Sequence, residues 1–111
     1  MSESRKFLVA AEEGYSLGST DDALLLIGNL HGWVGVLLTE EDLAPDFFNL
    51  RTGLAGELLQ KFVNYRVRVA IVLPDPDAYG ERFAELAWEH RTHPLIRFFP
   101  SRERAEAWLG A

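Results

Sequence analysis

Near the middle of the chain, Arg51, Thr52 and Gly53 are followed three residues later by Gly56. Helical periodicity begins just after Thr52, so these residues mark a predicted helix start, where free backbone N–H groups and the helix dipole attract anions. Arg51 adds a positive charge, and the two glycines would let a phosphate or carboxylate come close to the backbone. The spacing matches neither a P-loop nor a dinucleotide fingerprint. The chemistry indicated is the binding of a small anion.

Two of these residues also have a purely structural explanation, which we prefer from the sequence. Thr52 is well placed to be the N-cap of the predicted helix over residues 53–64, because its hydroxyl can accept a free backbone N–H. Gly56 falls inside that helix, where glycine costs about 1 kcal/mol relative to alanine. Close packing of the helix against a neighbour is the usual compensation, so we expect Gly56 to lie at such a contact.

The polar side of the same helix is a candidate surface for a protein partner, with a plain solvated face as the alternative. It carries Glu57, Gln60, Lys61 and Asn64. The candidate ligand-binding or partner-binding residues are Arg51, Thr52, Gly53, Gly56, Glu57, Lys61 and Asn64.

Other polar residues indicate less specific chemistry. Asp75 and Asp77 flank a proline after a predicted strand, where α/β sheets often bind ligands, but this is also an ordinary turn sequence with Asp77 as a candidate helix cap. His90 and His93 could share a metal only if a helix continued between them, and Pro94 opposes that continuation. We therefore expect no catalytic residues, no metal site and no cofactor.

Large apolar residues fall outside the apolar stripes of two predicted helices. Leu24 and Leu25 do so in the first helix, and Trp88 does so in the fourth. Exposed side chains of this kind favour a partner or self-association surface. We expect a protein partner or a homodimer.

Composition narrows the classes of function. The 111 residues contain no cysteine, which excludes disulfides, thiolate metal sites and a cysteine nucleophile. The formal net charge of −6 opposes binding to a nucleic-acid backbone. The longest apolar runs, 23–27 and 69–73, are too short to span a bilayer, and the first residues do not resemble a signal peptide. We expect a cytoplasmic chain that binds neither membrane nor nucleic acid.

The elements that must position these residues alternate between strand and helix. Apolar runs predict the strands, and a spacing of three to four between apolar residues predicts the helices. The predicted strands cover residues 7–10, 33–38, 66–73 and 95–99, and the predicted helices begin near 19, cover 53–64 and 78–90, and begin near 101. This order predicts a single α/β domain over residues 1–111, with a mainly parallel sheet of four to five strands and helices packed on it.

The run from Phe47 to Val67, which reads FFNLRTGLAGELLQKFVNYRV, resembles the signature of a small bacterial family of unknown function, number 4180 in the domain-of-unknown-function series. The likeness covers most of the chain, is most specific from Phe47 to Val72 and is weakest from Pro74 onward. The family implies no established activity.

A second resemblance is to the STAS domains of anti-sigma factor antagonists, in which a strand leads to a phosphorylatable Ser or Thr followed by Gly-Leu and a helix. Thr52-Gly53-Leu54 stands at that place, while Arg51 replaces the usual preceding aspartate. The resemblance implies a STAS-like fold and a regulatory role. We expect a non-enzymatic regulatory or interaction module that acts through residues 51–64. The alternatives are a binder of, or enzyme for, a small anion at Arg51-Thr52-Gly53, and an immunity or antitoxin-like partner of a basic protein.

Overall fold

Four short parallel strands form one sheet in chain order, β1-β2-β3-β4, in the computed structural model, which describes residues 6–110. The strands are β1 (Phe7–Val9), β2 (Gly35–Thr39), β3 (Arg68–Val72) and β4 (Ile96–Phe99). The central strands β2 and β3 pair over their whole length, from Gly35 opposite Arg68 to Thr39 opposite Val72. The predicted α/β architecture with a parallel sheet is confirmed.

Within residues 6–110, five α-helices connect or follow these strands. They are α1 (Thr20–Gly28), α2 (Pro45–Phe48), α3 (Leu54–Asn64), α4 (Glu81–Glu89) and α5 (Arg102–Leu109). The apolar spacing predicts a buried stripe on α3 that is formed by Leu54, Leu58, Leu59, Phe62 and Val63. The stripe is confirmed, because the first four are buried and Val63 is half-buried. Ser19 caps α1 by accepting a hydrogen bond from the backbone N–H of Asp22.

The two faces of the sheet are covered unequally. Because side chains alternate along a strand, Val36 and Ile71 join a large core with α1, α3 and α4, while Leu37 and Ala70 join a smaller core with α5. Strands that follow one another in chain order, joined by crossovers of one hand, place their connecting helices on the same face. Among the described helices, α5 is the one that covers the opposite face, through Ala105 and Leu109.

The predicted helix over residues 78–90 is wrong at its beginning. Residues Pro76–Tyr79 form a separate 3₁₀ turn, and α4 starts only at Glu81. Gly80 separates the two with φ 97°, a conformation that residues with a side chain rarely adopt. The residue that precedes the helix as its N-cap is therefore Gly80, and the prediction of Asp77 in that role is also wrong.

Gly35 is the position in the sheet where a side chain has no room. A Cβ added there would lie 2.6 Å from the carbonyl oxygen of Arg68 and 3.0 Å from a methyl group of Leu109. We predict that Gly35→Ala lowers the free energy of unfolding by about 1–3 kcal/mol, the usual cost of overpacking, as measured by chemical denaturation.

Gly28 provides the control, since a Cβ added there meets nothing within 4 Å. Gly28→Ala should leave stability unchanged or raise it by up to about 1 kcal/mol, because alanine is the better helix former. Equal effects of the two substitutions would contradict this account of the central strands.

Candidate functional site

The segment before α3 differs from its prediction in one respect. Leu50–Thr52 form a 3₁₀ turn, and the N-cap residue of α3 is Gly53, with φ 78°, so the prediction of Thr52 as N-cap is wrong. The Thr52 hydroxyl still serves the helix start, because it accepts the N–H of Leu54 at 3.2 Å. Its own hydrogen points to the carbonyl oxygens of Asp46, at 2.7 Å, and Asn49, at 2.8 Å. Thr52 therefore ties the turn to α3 through local hydrogen bonds.

Gly56 lies on the exposed side of α3 rather than at a packed contact. A Cβ added at Gly56 would meet nothing within 4 Å. The expectation that close packing compensates for this glycine is therefore wrong for the described chain. The side of the helix that faces the core is filled by larger residues, so no neighbour within the fold requires a glycine at this position.

A shallow groove of about 730 Å³ runs along this side of α3 and reaches α1. Its lining residues are Thr20, Gly53, Gly56, Glu57, Gln60, Lys61 and Asn64. The groove therefore brings together five of the seven predicted site residues, namely Gly53, Gly56, Glu57, Lys61 and Asn64. Two of them are glycines, and the other three are polar. The Gln60 side chain donates a hydrogen bond of 2.8 Å to that of Asn64, which orders part of the rim.

Arg51 is not part of this groove. It lines a separate cleft of about 440 Å³, between the segment that leads into α3 and the start of α4. The cleft is lined by Phe48, Asn49, Leu50, Arg51, Tyr79, Gly80, Glu81, Arg82 and Phe83. Thr52 lines neither the groove nor the cleft. The structure thus divides the predicted site into two.

Sequence reasoning missed the contributions of Phe48, Tyr79 and Arg82 to this cleft. The available signal was Gly80, which stands inside an otherwise helical pattern and marks where α4 begins. A helix start predicted at Gly80 would have put Arg82 beside a second possible anion site.

The predicted exposure of three large apolar residues is confirmed. Leu25 is 61% exposed, Leu24 is 37% exposed and Trp88 is 65% exposed. Leu24 follows the groove residue Thr20 by one helical turn, so it extends the rim of the groove along α1. Trp88 lies elsewhere, under the guanidinium group of Arg91, whose carbon is 3.9 Å from the ring centroid.

At the carboxyl ends of β2 and β3, Tyr79 donates a short hydrogen bond to the carboxylate of Glu40. This bond, together with burial and the charges of Glu40, Asp75 and Glu41, raises the pKa of Tyr79 to about 12. The bond joins the connection after β2 to the one after β3, and so holds Tyr79 in place beside the cleft.

The rings of His90 and His93 stack with their centroids 5.2 Å apart, yet both are used by the local backbone. Nδ1 of His93 accepts the N–H groups of Leu95 and Ile96, and Nδ1 of His90 lies 2.8 Å from the carbonyl oxygen of Leu86. Burial, then the neighbouring His90 and Arg97, lowers the pKa of His93.

Within 6–110, no three His, Cys, Asp or Glu side chains are grouped as a metal site requires. Over the same range, no helix is long and apolar enough to cross a bilayer.

The Tyr79–Glu40 bond predicts an unusual titration. Because the pKa of Tyr79 in the folded protein lies above the ordinary tyrosine value of 10.0, the bond's contribution to stability is complete below about pH 10 and is lost as pH rises towards 12. Absorbance of tyrosinate should show one of the three tyrosines ionising late, and Tyr79→Phe should remove that step. Glu40→Gln should return it towards 10, since the negative charge is gone. A late step that survives Tyr79→Phe would contradict the assignment.

Comparison with known proteins places the chain in a family. A family model described as "Domain of unknown function (DUF4180)" matches residues 2–109. No curated protein and no solved structure matches the chain, so the resemblance to STAS domains stays a prediction. The match extends over almost the whole chain and includes both the groove and the cleft. The chain belongs to the DUF4180 family.

Proposed function

We propose that this protein is a non-enzymatic interaction domain of the cytoplasm that self-associates through its α1–α3 face. This face comprises Leu24 and the groove residues Thr20, Gly53, Gly56, Glu57, Gln60, Lys61 and Asn64. The observation that carries the proposal is the open space above Gly56.

Gly56 weakens the helix that contributes most side chains to the larger core. Glycine inside a helix costs about 1 kcal/mol relative to alanine, and nothing packed against Gly56 within the described chain offsets that cost. A second helix that crosses over Gly56 would use the missing side chain, because glycine lets two helix backbones approach closely. Self-association therefore explains why a glycine stands at position 56.

The charges on the face suit a second copy of the same chain. Glu57 and Lys61 are one helical turn apart on α3. When two α3 helices meet antiparallel about a two-fold axis, each Glu57 lies opposite Lys61 of the other copy. The same patch then supplies both charges, so the contact is self-complementary. Leu24, at the rim, adds apolar surface to the contact.

The polar groups of the groove are better suited to recognition than to catalysis. Glu57 is exposed, whereas catalytic acids and bases are usually activated by burial or by a close charged partner. A basic protein partner is the alternative occupant, favoured by the net charge of −6. Binding of a basic partner differs from self-association in one testable respect, because it requires no pairing of Glu57 with Lys61.

Charge reversal tests the arrangement. We predict that the wild type forms dimers in a concentration-dependent manner, that Glu57→Lys weakens dimerisation about tenfold or more by placing like charges opposite each other, and that the double variant Glu57→Lys, Lys61→Glu restores it. Sedimentation equilibrium gives the dissociation constants. Glu103→Lys makes the same charge change on the exposed side of α5 and should have no effect.

A wild type that stays monomeric would refute self-association. A double variant no better than Glu57→Lys alone would refute the antiparallel pairing and favour the basic partner.

Gly56→Ala separates folding from association. The added methyl group has room in the single chain, so the monomer should gain up to about 1 kcal/mol of stability. The same methyl group should hinder the approach of a second α3, so dimerisation should weaken. Denaturation of the monomer at low concentration measures the first effect, and sedimentation measures the second. A variant that gains stability and dimerises as before would show that no helix crosses Gly56.

A further inference from the structure

We infer that the cleft between Arg51 and Arg82 binds a small aromatic anion, a ring that carries a phosphate or carboxylate group. The cleft, here called the arginine cleft, is the 440 Å³ space between the segment leading into α3 and the start of α4. Its volume falls in the range of small-molecule sites. It shares no lining residue with the groove of the α1–α3 face, so this site is independent of the proposed self-association.

Two arginines of the cleft have guanidinium groups without a partner among residues 6–110. Arg51 and Arg82 both line the cleft, and within residues 6–110 neither guanidinium group has a hydrogen bond or an ion pair. Four other arginines, Arg68, Arg91, Arg97 and Arg102, donate to a backbone carbonyl or a carboxylate, for example Arg68 to the Trp108 carbonyl and Arg102 to Glu106. In a chain with 17 acidic residues, two unpaired guanidinium groups at one cleft form a local positive site. Guanidinium groups recognise phosphate and carboxylate through paired N–H donors.

Three aromatic rings form one wall of the cleft. The rings of Phe48 and Tyr79 are stacked, with centroids 4.0 Å apart and planes 15° apart. Phe83 packs against both, at 5.3 Å from Phe48 and 5.8 Å from Tyr79. Glu40 holds Tyr79 through the short hydrogen bond, so the wall is formed before a ligand arrives. A ring seated against this wall would bury apolar area and stack on a fixed surface.

The arginines and the aromatic wall together define the ligand. The arginines contact its anionic group and the aromatic wall contacts its ring, so neither a bare anion nor a neutral ring uses the whole cleft. Glu81 is the one carboxylate among the described residues that line the cleft, and its charge opposes an anion. The exposed start of α4, which no side chain caps, adds to the positive potential without being needed for the assignment.

Phenyl phosphate is a suitable probe, with inorganic phosphate and phenol as its two halves. We expect saturable binding of phenyl phosphate by titration calorimetry, and shifts of the amide NMR signals of residues 48–51 and 79–83. Each half alone should bind at least about tenfold more weakly, the ratio that 1.4 kcal/mol represents.

Three substitutions test the assignment, each checked for an unchanged fold by circular dichroism. Arg51→Ala and Arg82→Ala should each weaken phenyl phosphate about tenfold, the order expected for loss of a charge-assisted contact, and Glu81→Gln should strengthen it. Arg104→Ala, which removes an exposed arginine from α5, is the matched control and should change nothing. Arg82→Lys keeps the charge and should retain part of the affinity.

The inference is overturned if phenyl phosphate shows no saturable binding to the wild type, or if it binds Arg51→Ala and Arg82→Ala as tightly as wild type. Equal affinity for inorganic phosphate would overturn the role of the aromatic wall. Because the monomer suffices for these measurements, their failure would leave the proposed self-association standing, and a monomeric wild type would leave the cleft untouched.

Discussion

The parallel pairing of β2 with β3 is the interaction on which the rest of the structure depends. The two strands are buried on both faces, and their backbones meet so closely at Gly35 and Arg68 that a single methyl group would clash. Parallel strands end at the same edge of a sheet, so the connection that leaves β2 and the one that leaves β3 emerge side by side. Phe48 from the first and Tyr79 from the second stack there. The arginine cleft is a consequence of this pairing.

The order of the strands also decides what is left exposed. Each strand pairs with the next in the chain, and α1, α3 and α4 lie together over one face while α5 covers the other. The apolar side of α3 faces the sheet, so its polar side must point outward beside α1. Gly56 lies on that outward side, where nothing in the fold requires a glycine. The same arrangement therefore separates a surface suited to a second copy from a cleft suited to a small anion.

The sequence predicted the fold better than the sites, for reasons that particular residues make clear. Periodicity reports burial, so the strand before Thr39 and the stripe from Leu54 to Phe62 could be predicted from apolar spacing alone. Gly80 interrupts the predicted helix over residues 78–90. The sequence pattern does not show this, because a backbone conformation with positive φ leaves no trace in the spacing of apolar residues. The sequence places Arg51 beside the start of the predicted helix over residues 53–64. The structure instead places it on the same cleft as Arg82, and only the three-dimensional fold brings these two distant residues to one cleft.

The central claim is that two copies meet along α3, and a single introduced thiol tests it most directly. The chain has no cysteine, so Gln60→Cys creates the only thiol. The axis that pairs Glu57 with Lys61 passes at position 59, which is buried, and residue 60 is the exposed position of α3 nearest to it. A disulfide forms only when two Cα atoms come within about 7 Å. The account predicts rapid conversion to a covalent dimer under mild oxidation, with Glu103→Cys on α5 remaining monomeric. Failure of Cys at position 60 to cross-link, or equal cross-linking at both positions, would contradict it.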